Sequence, residues 1–352
     1  MEAVRWHGNR DVRLEDVHLE LSLGPGMIEV EVAFCGVCGS DVAEYAHGPF
    51  AIRPRPHPLS GQAPPVTLGH EFSGRVVAVG DDVTGLAVGD RVAADACWRC
   101  ERCRACRTGR YNLCALSGSI GLCSDGAFAS RVRFPAYCAV RLPDGVSDRA
   151  GAMLEPLAVA VHAYDRVDAR AGEACVVLGF GAIGACSALV GRAMGLDVLV
   201  SEPGEQRGAR AADLGFRVHL PEGPPRDVAR AVRGLTGGGA EIVIDASGVP
   251  AALEAAPDMT ARGGRVALVG LPKRPPALDP ARQLVLYERS VVGSLGYAHD
   301  LPRAAAMIAS GSLDPEPLVS RHIALEQLPA ELEQMARSPA DVKVLVELEA
   351  AA

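Results

Sequence analysis

The sequence predicts an α/β protein in two parts, a β-rich first part followed by a doubly wound parallel sheet. Three observations carry this. Up to about residue 150, short alternating runs such as Met27–Phe34 (MIEVEVAF) and Phe72–Val79 (FSGRVVAV) lie between glycine and proline turns. From about Gly151 the rhythm becomes one of continuous apolar runs separated by helical segments, which is how a parallel sheet covered on both faces reads. At 352 residues the chain is long enough for each part to bury a core of its own.

Within the first part, the stretch PFAIRPRPHPLSGQAPP (49–65) is polar and proline-rich, and reads as a loop whose length suits a lid or substrate-lining role. In the second part Ala174–Leu178 (ACVVL) is a strand, GFGAIG follows at 179–184, and a helix-like segment runs on to Gly195. Asp197–Ser201 is the next strand, then a helix from about Pro203 to Leu214. The runs EIVID (241–245), RVALVG (265–270) and SVVGS (290–294) continue the pattern, and DVKVLVEL (341–348) is a late strand. The predicted organisation is 1–150, 151–294 for the parallel sheet, and 295–352 returning to the first part. SVVGS reads as the last strand of the sheet, and an open apolar edge calls for a partner, so a homo-oligomer is expected.

The bulk properties exclude several classes. Hydrophobic residues make up 49% of the chain and charged residues 22%, an ordinary globular balance without disorder. The start, MEAVRWH, lacks the basic and apolar regions of a signal peptide, and no run approaches the roughly 18 apolar residues of a membrane helix. A cytoplasmic protein is expected, in a reducing compartment where clustered cysteines are more often metal ligands than disulfides. The formal charge of −8 weighs against nucleic acid as a partner, although Arg99, Arg102, Arg104, Arg107 and Arg110 form a local basic patch.

Gly179, Gly181 and Gly184 follow a strand and open a helix, with Ala182 and Ile183 between the second and third glycines. In that context the first glycine permits the tight turn, the second lets backbone approach a pyrophosphate, and the third lets helix and strand pack closely. The next strand ends at Glu202, where a carboxylate can accept from adenosine ribose hydroxyls and would repel a 2′-phosphate. NAD is therefore preferred to NADP, with Arg207 nearby pointing the other way.

The segment CWRCERCRACRTGRYNLC (97–114) holds five cysteines. It is compatible with a disulfide knot, a zinc lobe, or a zinc module gripping nucleic acid. Cys100, Cys103, Cys106 and Cys114 supply four thiolates from one loop, which closes a tetrahedral zinc and leaves no open position. Cys97 could replace Cys100 on spacing alone. A second set is scattered: Cys38 in GVCGSD, His70 and Glu71 in TLGHEFSG, and Glu155 in MLEPLAVA. Singly, a histidine is often a hydrogen-bonded core residue, and a glutamate before proline often starts a helix. Together Cys38, His70 and Glu155 offer a thiolate, an imidazole and a carboxylate, which suits a catalytic zinc with an open position.

Taken in order, GVCGSD, GHE, the four-cysteine lobe, EPLAVA and GFGAIG resemble the zinc-dependent medium-chain dehydrogenase/reductase (alcohol dehydrogenase) family, over essentially the whole chain. EYAHGPF, PHPLSGQAPPVTLGHEFSG and LEPLAVAVHA look most similar to its 2,3-butanediol dehydrogenases, with sorbitol dehydrogenases next. The resemblance implies a GroES-like catalytic domain, a Rossmann domain, an active site in the cleft between them, NAD, and two zinc ions per chain. It implies that Cys38, His70 and Glu155 hold the catalytic zinc, with Glu71 an adjacent carboxylate able to exchange with metal-bound water. Cys100, Cys103, Cys106 and Cys114 would hold the structural zinc, and Ser40 would start the proton relay. This chain departs from the pattern at Ala43, where relatives commonly carry a histidine, and His47 is a possible substitute.

The expected activity is reversible oxidation of a secondary alcohol, of the vicinal diol and acetoin type, with hydride passing to NAD. A polyol, aminocyclitol or amino-alcohol substrate is the alternative, because Ala43 and Met153 could mark a pocket adapted to something larger. A non-catalytic NAD-binding zinc protein is a reading of another class, which the set Cys38, His70 and Glu155 disfavours.

Overall fold

The alternating run at residue 27 forms the strand Met27–Gly36, which sits at the heart of a sheet, in the computed structural model of this chain. The structure describes residues 1–19, 22–338 and 340–348. By its contacts the chain divides into two units. One comprises Met1–Glu155, Leu301–Gly311 and the chain from Val319 on, and the other comprises Pro156–Asp300 and Ser312–Leu318.

In the first unit Met27–Gly36 pairs antiparallel with Glu71–Val79, Arg131–Pro135 and Lys343–Glu347. Glu71–Val79 leads on to Arg91–Ala94 and then Ala139–Arg141, and Lys343–Glu347 leads to Val319–Ala324. A small antiparallel sheet of Asp11–Asp16, Glu2–Gly8 and Val66–Thr67 accompanies it. Inward residues such as Ile28, Val30, Val32, Phe72, Val76, Phe134, Val344 and Val346 are buried together, as period-two alternation requires. The proline-rich loop is anchored at both ends. The backbone amides of Phe50, Ala51 and Ile52 donate to the buried Glu44 carboxylate. Further on, Ser60 Oγ donates to the Cys123 carbonyl, and Asp125 accepts from Gln62 and from the amide of Thr67.

In the second unit all strand pairs are parallel, in the order Arg217–His219, Asp197–Ser201, Ala174–Leu178, Ala240–Asp245, Thr260–Leu268, Ser290–Gly293. Val176, Val243 and Val266 are fully buried between helices, which explains their unbroken apolar runs. The chain leaves Ala174–Leu178 for one neighbour and reaches the other neighbour later. The order therefore reverses at this strand, and a crevice opens at the carboxyl ends. Ser290–Gly293 is an edge strand paired only with Thr260–Leu268 among the described residues.

Candidate active site

The helix Gly39–His47 begins where the strand Met27–Gly36 ends, and Cys38 is its N-cap residue, with extended backbone. Asp41, in the first turn, accepts from the Cys38 amide at 3.0 Å and so fixes the start of the helix. His70 arrives from the other side, after Gly69 at φ +96°. A Cβ on Gly69 would lie 2.8 Å from Cys35 Sγ and 2.9 Å from Phe128, so only glycine fits. Ligand atoms of Cys38, His70 and Glu71 come within 4.8 Å of one another. Ser40 Oγ lies 3.3 Å from His70 Nε2, and Asp41 Oδ1 lies 3.6 Å from His70 Nδ1.

Glu155 is outside that 4.8 Å group. It stands in the first turn of the helix Leu154–Arg166, and its charge bears on the Cys38 thiol. Glu71 is instead engaged by Lys343, whose ammonium bonds its carboxylate and donates to the Val37 carbonyl at 3.0 Å. Both side chains are fully buried. Gly36 makes room for them, because a Cβ there would be 2.4 Å from Glu71 Oε2 and 2.7 Å from Lys343 Cε.

Three buried polar atoms here have no hydrogen-bond partner among the described residues: Asp41 Oδ1, His70 Nδ1 and Glu71 Oε1. Asp41 Oδ1 and His70 Nδ1 face each other at 3.6 Å, just beyond hydrogen-bond reach, whereas the thiol, imidazole and carboxylate gathered within 4.8 Å are the donor set of zinc. Burial, then the nearby Asp41, pushes the Cys38 thiol up to about 11, so a metal arriving here displaces a proton. Burial lowers Lys343 to about 8.

In the cysteine segment the sulfurs of Cys100 and Cys114 are 3.5 Å apart, Cys103 and Cys106 3.5 Å, and Cys100 and Cys106 4.0 Å. Tetrahedral zinc with bonds of about 2.3 Å sets its sulfurs about 3.8 Å apart, whereas a disulfide would bring two to about 2.0 Å. None of the described cysteines is in a disulfide. Amides of Arg102 and Cys103 lower the Cys100 thiol to about 6, as a thiolate ligand needs. Cys97 lies outside the group, its thiol donating to the Tyr111 carbonyl at 3.8 Å and pushed up to about 12 by burial, then by Asp95. Arg99 is not a surface arginine. Its guanidinium lies 4.1 Å from the Tyr111 ring centre and 4.5 Å from that of Tyr137, and pairs with Asp95 at 3.2 Å. Arg102, Arg104, Arg107 and Arg110 are exposed.

In the second unit Gly179 turns at φ +89°, and Gly181 caps the helix Ala182–Ala193. A Cβ on Gly184 would fall 2.0 Å from the Gly179 carbonyl oxygen, so the third glycine is needed for helix and turn to touch. The carboxylate of Glu202 accepts from the Phe180 amide at 2.6 Å and from the Gly204 amide at 2.8 Å. It thus ties the glycine turn to the end of the next strand. A cavity of about 390 Å³ opens here, lined by Gly179, Gly181, Glu202, Arg207 and Ser247 among others. Two glycine faces, free amides at a helix start and a carboxylate at the rim suit a dinucleotide.

Residues 24–144 match the model of the alcohol dehydrogenase GroES-like domain, and residues 182–310 match that of the zinc-binding dehydrogenase family. The (R,R)-butanediol dehydrogenase of Bacillus subtilis (strain 168) is 34% identical over 98% of this chain and 99% of its own length. The chain belongs to the zinc-dependent medium-chain dehydrogenase/reductase family. Sorbitol dehydrogenase of Bos taurus is 33% identical, over 91% of this chain and 89% of its own. Among solved structures, the crystal structure of 2R,3R-butanediol dehydrogenase from Bacillus subtilis superposes with a TM-score of 0.92 at 33% identity, covering 99% of both chains. As a member of this family the protein is an enzyme, a zinc-dependent alcohol oxidoreductase with a GroES-like part and a Rossmann part.

Two residues of the site escaped the sequence reading. Asp41 stood inside the GVCGSD motif, and its signal was an acid three positions after a helix cap. Lys343 had one weak signal, a charge directly before the apolar run Val344–Val346, at a separation of 272 residues from its partner.

Proposed function

We propose that this protein oxidises small vicinal diols with NAD, interconverting compounds of the 2,3-butanediol and acetoin type. The carrying observation is the gathering of the Cys38 thiol, the His70 imidazole and the Ser40 hydroxyl in one site, in a chain with full-length relatives named for butanediol. When bound, zinc supplies a Lewis acid for the alcohol oxygen and the dinucleotide an acceptor for hydride. Cys38, His70 and Glu155 would hold the catalytic ion, since Glu71 already answers the charge of Lys343. Asp41 orients the imidazole from its far side, the arrangement that fixes a ligand's ring and tautomer. Ser40 Oγ takes the substrate proton. His47 stands two turns along the same helix, about 10 Å away at 1.5 Å per residue, so no direct bond from Ser40 reaches it. With Ala43 between them, the proton leaves Ser40 by way of water.

Cys100, Cys103, Cys106 and Cys114 would hold a second, structural zinc. Ala182 and Ile183 would offer amides to the pyrophosphate, and Glu202 would meet the ribose hydroxyls and repel a 2′-phosphate. The protein would act as a homo-oligomer through the edge Ser290–Gly293, flanked by Leu286 at 68% exposure and Leu295 at 60%. No helix among the described residues is long and apolar enough to cross a membrane, and eleven cysteines with no disulfide among them suit a reducing cytoplasm.

A polyol substrate is the second reading, supported by the sorbitol dehydrogenases among the relatives. Met153 is fully buried and directly precedes the helix that carries Glu155. Steady-state kinetics with NAD across 2,3-butanediol, sorbitol and a cyclitol decide between them. The diol should have the highest kcat/KM, and a clear preference for sorbitol or the cyclitol would retire the first reading while leaving zinc–alcohol chemistry in place.

A further inference from the structure

The second unit carries another cavity, of about 990 Å³, which also borders the helix Pro225–Leu235 and adjoins the dinucleotide cavity. Pro225 and Ala255 border both cavities, while Val228 lines only the dinucleotide cavity and Arg226, Arg230 and Arg233 line only this one. Their spacing of four and then three residues puts the three guanidinium stems on one helix face. The opposite wall brings Arg282 and Arg289, so five arginines line the cavity against three carboxylates, Glu254, Asp258 and Asp279. That is an excess of two positive charges, on a chain whose formal charge is −8.

The carboxylates do not neutralise the arginines of the helix face. Asp258 is taken by Arg282 at 3.1 Å and Arg289 at 3.4 Å, and Glu254 pairs with Arg274 at 3.2 Å. Arg230 pairs with Asp227 of its own helix, at 3.2 Å between exposed side chains, where screening leaves little attraction. Arg233 and Arg289 both donate to one acceptor, the Thr260 carbonyl, at 2.8 and 2.7 Å. The Arg289 side chain is 3% exposed. Like charges converging on a neutral carbonyl in a concave, partly dry site focus a positive field.

We infer that this cavity is a binding site for a compact polyphosphate anion, such as inorganic pyrophosphate or the polyphosphate group of a nucleotide. Arginine forks match phosphate oxygens two at a time, and several on one wall need several charged oxygens spaced along a ligand. The inference stands independently of the substrate proposed above.

The test is calorimetric titration of inorganic pyrophosphate into zinc-loaded protein at low salt, with NAD saturating so that the glycine turn is already filled. One site per chain is expected, weakening as salt rises and binding pyrophosphate more tightly than sulfate. The variant Arg226→Gln/Arg230→Gln, at two exposed positions, should weaken it by about tenfold or more. The control Arg102→Gln/Arg104→Gln removes the same charge from the exposed cysteine segment and should change it little. Repeating the titration with a nucleoside triphosphate separates the two sources: tighter binding that is also lost in the cavity variant assigns the site to nucleotides. The inference is overturned by no saturable binding under saturating NAD, by equal losses in both double variants, or by sulfate binding as tightly as pyrophosphate.

Discussion

Glu71 and Lys343 form a fully buried ion pair across Gly36, joining two strands that flank the same central strand. Removing one partner of such a pair strands the other charge in a low-dielectric interior, which costs about 3–5 kcal/mol. Lys343→Met should therefore lower stability by that order in denaturant titration. It should also change how fast a chelator strips the catalytic metal, because Glu71 is freed toward the Cys38 and His70 cluster. Lys343→Arg should restore part of both. Unchanged metal release in Lys343→Met would mean that the pair serves packing alone.

Metal analysis of protein purified without chelator should give about two zinc equivalents per chain, one for each donor set. Cys38→Ser should remove one equivalent and the activity while keeping the fold. Cys106→Ser should remove the other and lower thermal stability, since a structural metal contributes its binding energy to folding. A content of one equivalent, untouched by Cys106→Ser, would dismiss the structural site.

Thiol chemistry should separate the cysteines by pH. Amide donors hold the Cys100 thiol near 6, so in chelator-stripped protein it is a thiolate above that pH and should alkylate first at neutrality. Below pH 6 it gains its proton and the rate should fall. Cys97, pushed up to about 12, should stay unmodified throughout. Added zinc should protect Cys100, and mass mapping of the alkylated peptides reads out both sites. Modification of Cys97 ahead of Cys100 would overturn the assignment.

Glu202 acts twice, on the glycine turn through the Phe180 amide and at the rim of the dinucleotide cavity. Glu202→Ala should narrow the preference for NAD over NADP by roughly tenfold, the factor that about 1.4 kcal/mol of charge repulsion carries. It should also raise KM for both cofactors as the turn loosens. Comparable kcat/KM for NAD and NADP in the unaltered protein would show that the carboxylate does not face the ribose.

Local features of the fold were legible in the sequence because their causes are local. Ala174–Leu178 and Asp197–Ser201 coincide with their runs, since the residues buried on both faces, Cys175–Leu178 and Val198–Val200, are apolar. Where a neighbour imposes the conformation, the sequence is silent. Thr260–Leu268 begins five residues before its apolar run, in polar TARGG, because Thr260 is held opposite Ala240 past a bulge. Arg217–His219 is an edge strand of three residues with one apolar side chain, too short for a period. At the site, Cys38, Ser40, Asp41, His70 and Glu71 lie in two short motifs whose proximity no spacing rule gives. Lys343 joins them only through sheet pairing.

The first unit is assembled from early and late stretches of chain, with the second unit threaded between them. During synthesis Cys38, His70 and Glu71 leave the ribosome together, and Lys343 follows only after more than 250 further residues have been made. A nascent chain therefore exposes a thiol, an imidazole and an uncompensated carboxylate to cellular metals well before the lysine can claim Glu71. The docking of Lys343–Glu347 beside Met27–Gly36 is what brings Lys343 to Glu71. A chain truncated before Lys343 should therefore bind zinc differently from the whole protein, because its Glu71 lacks the counter-charge that the folded unit supplies.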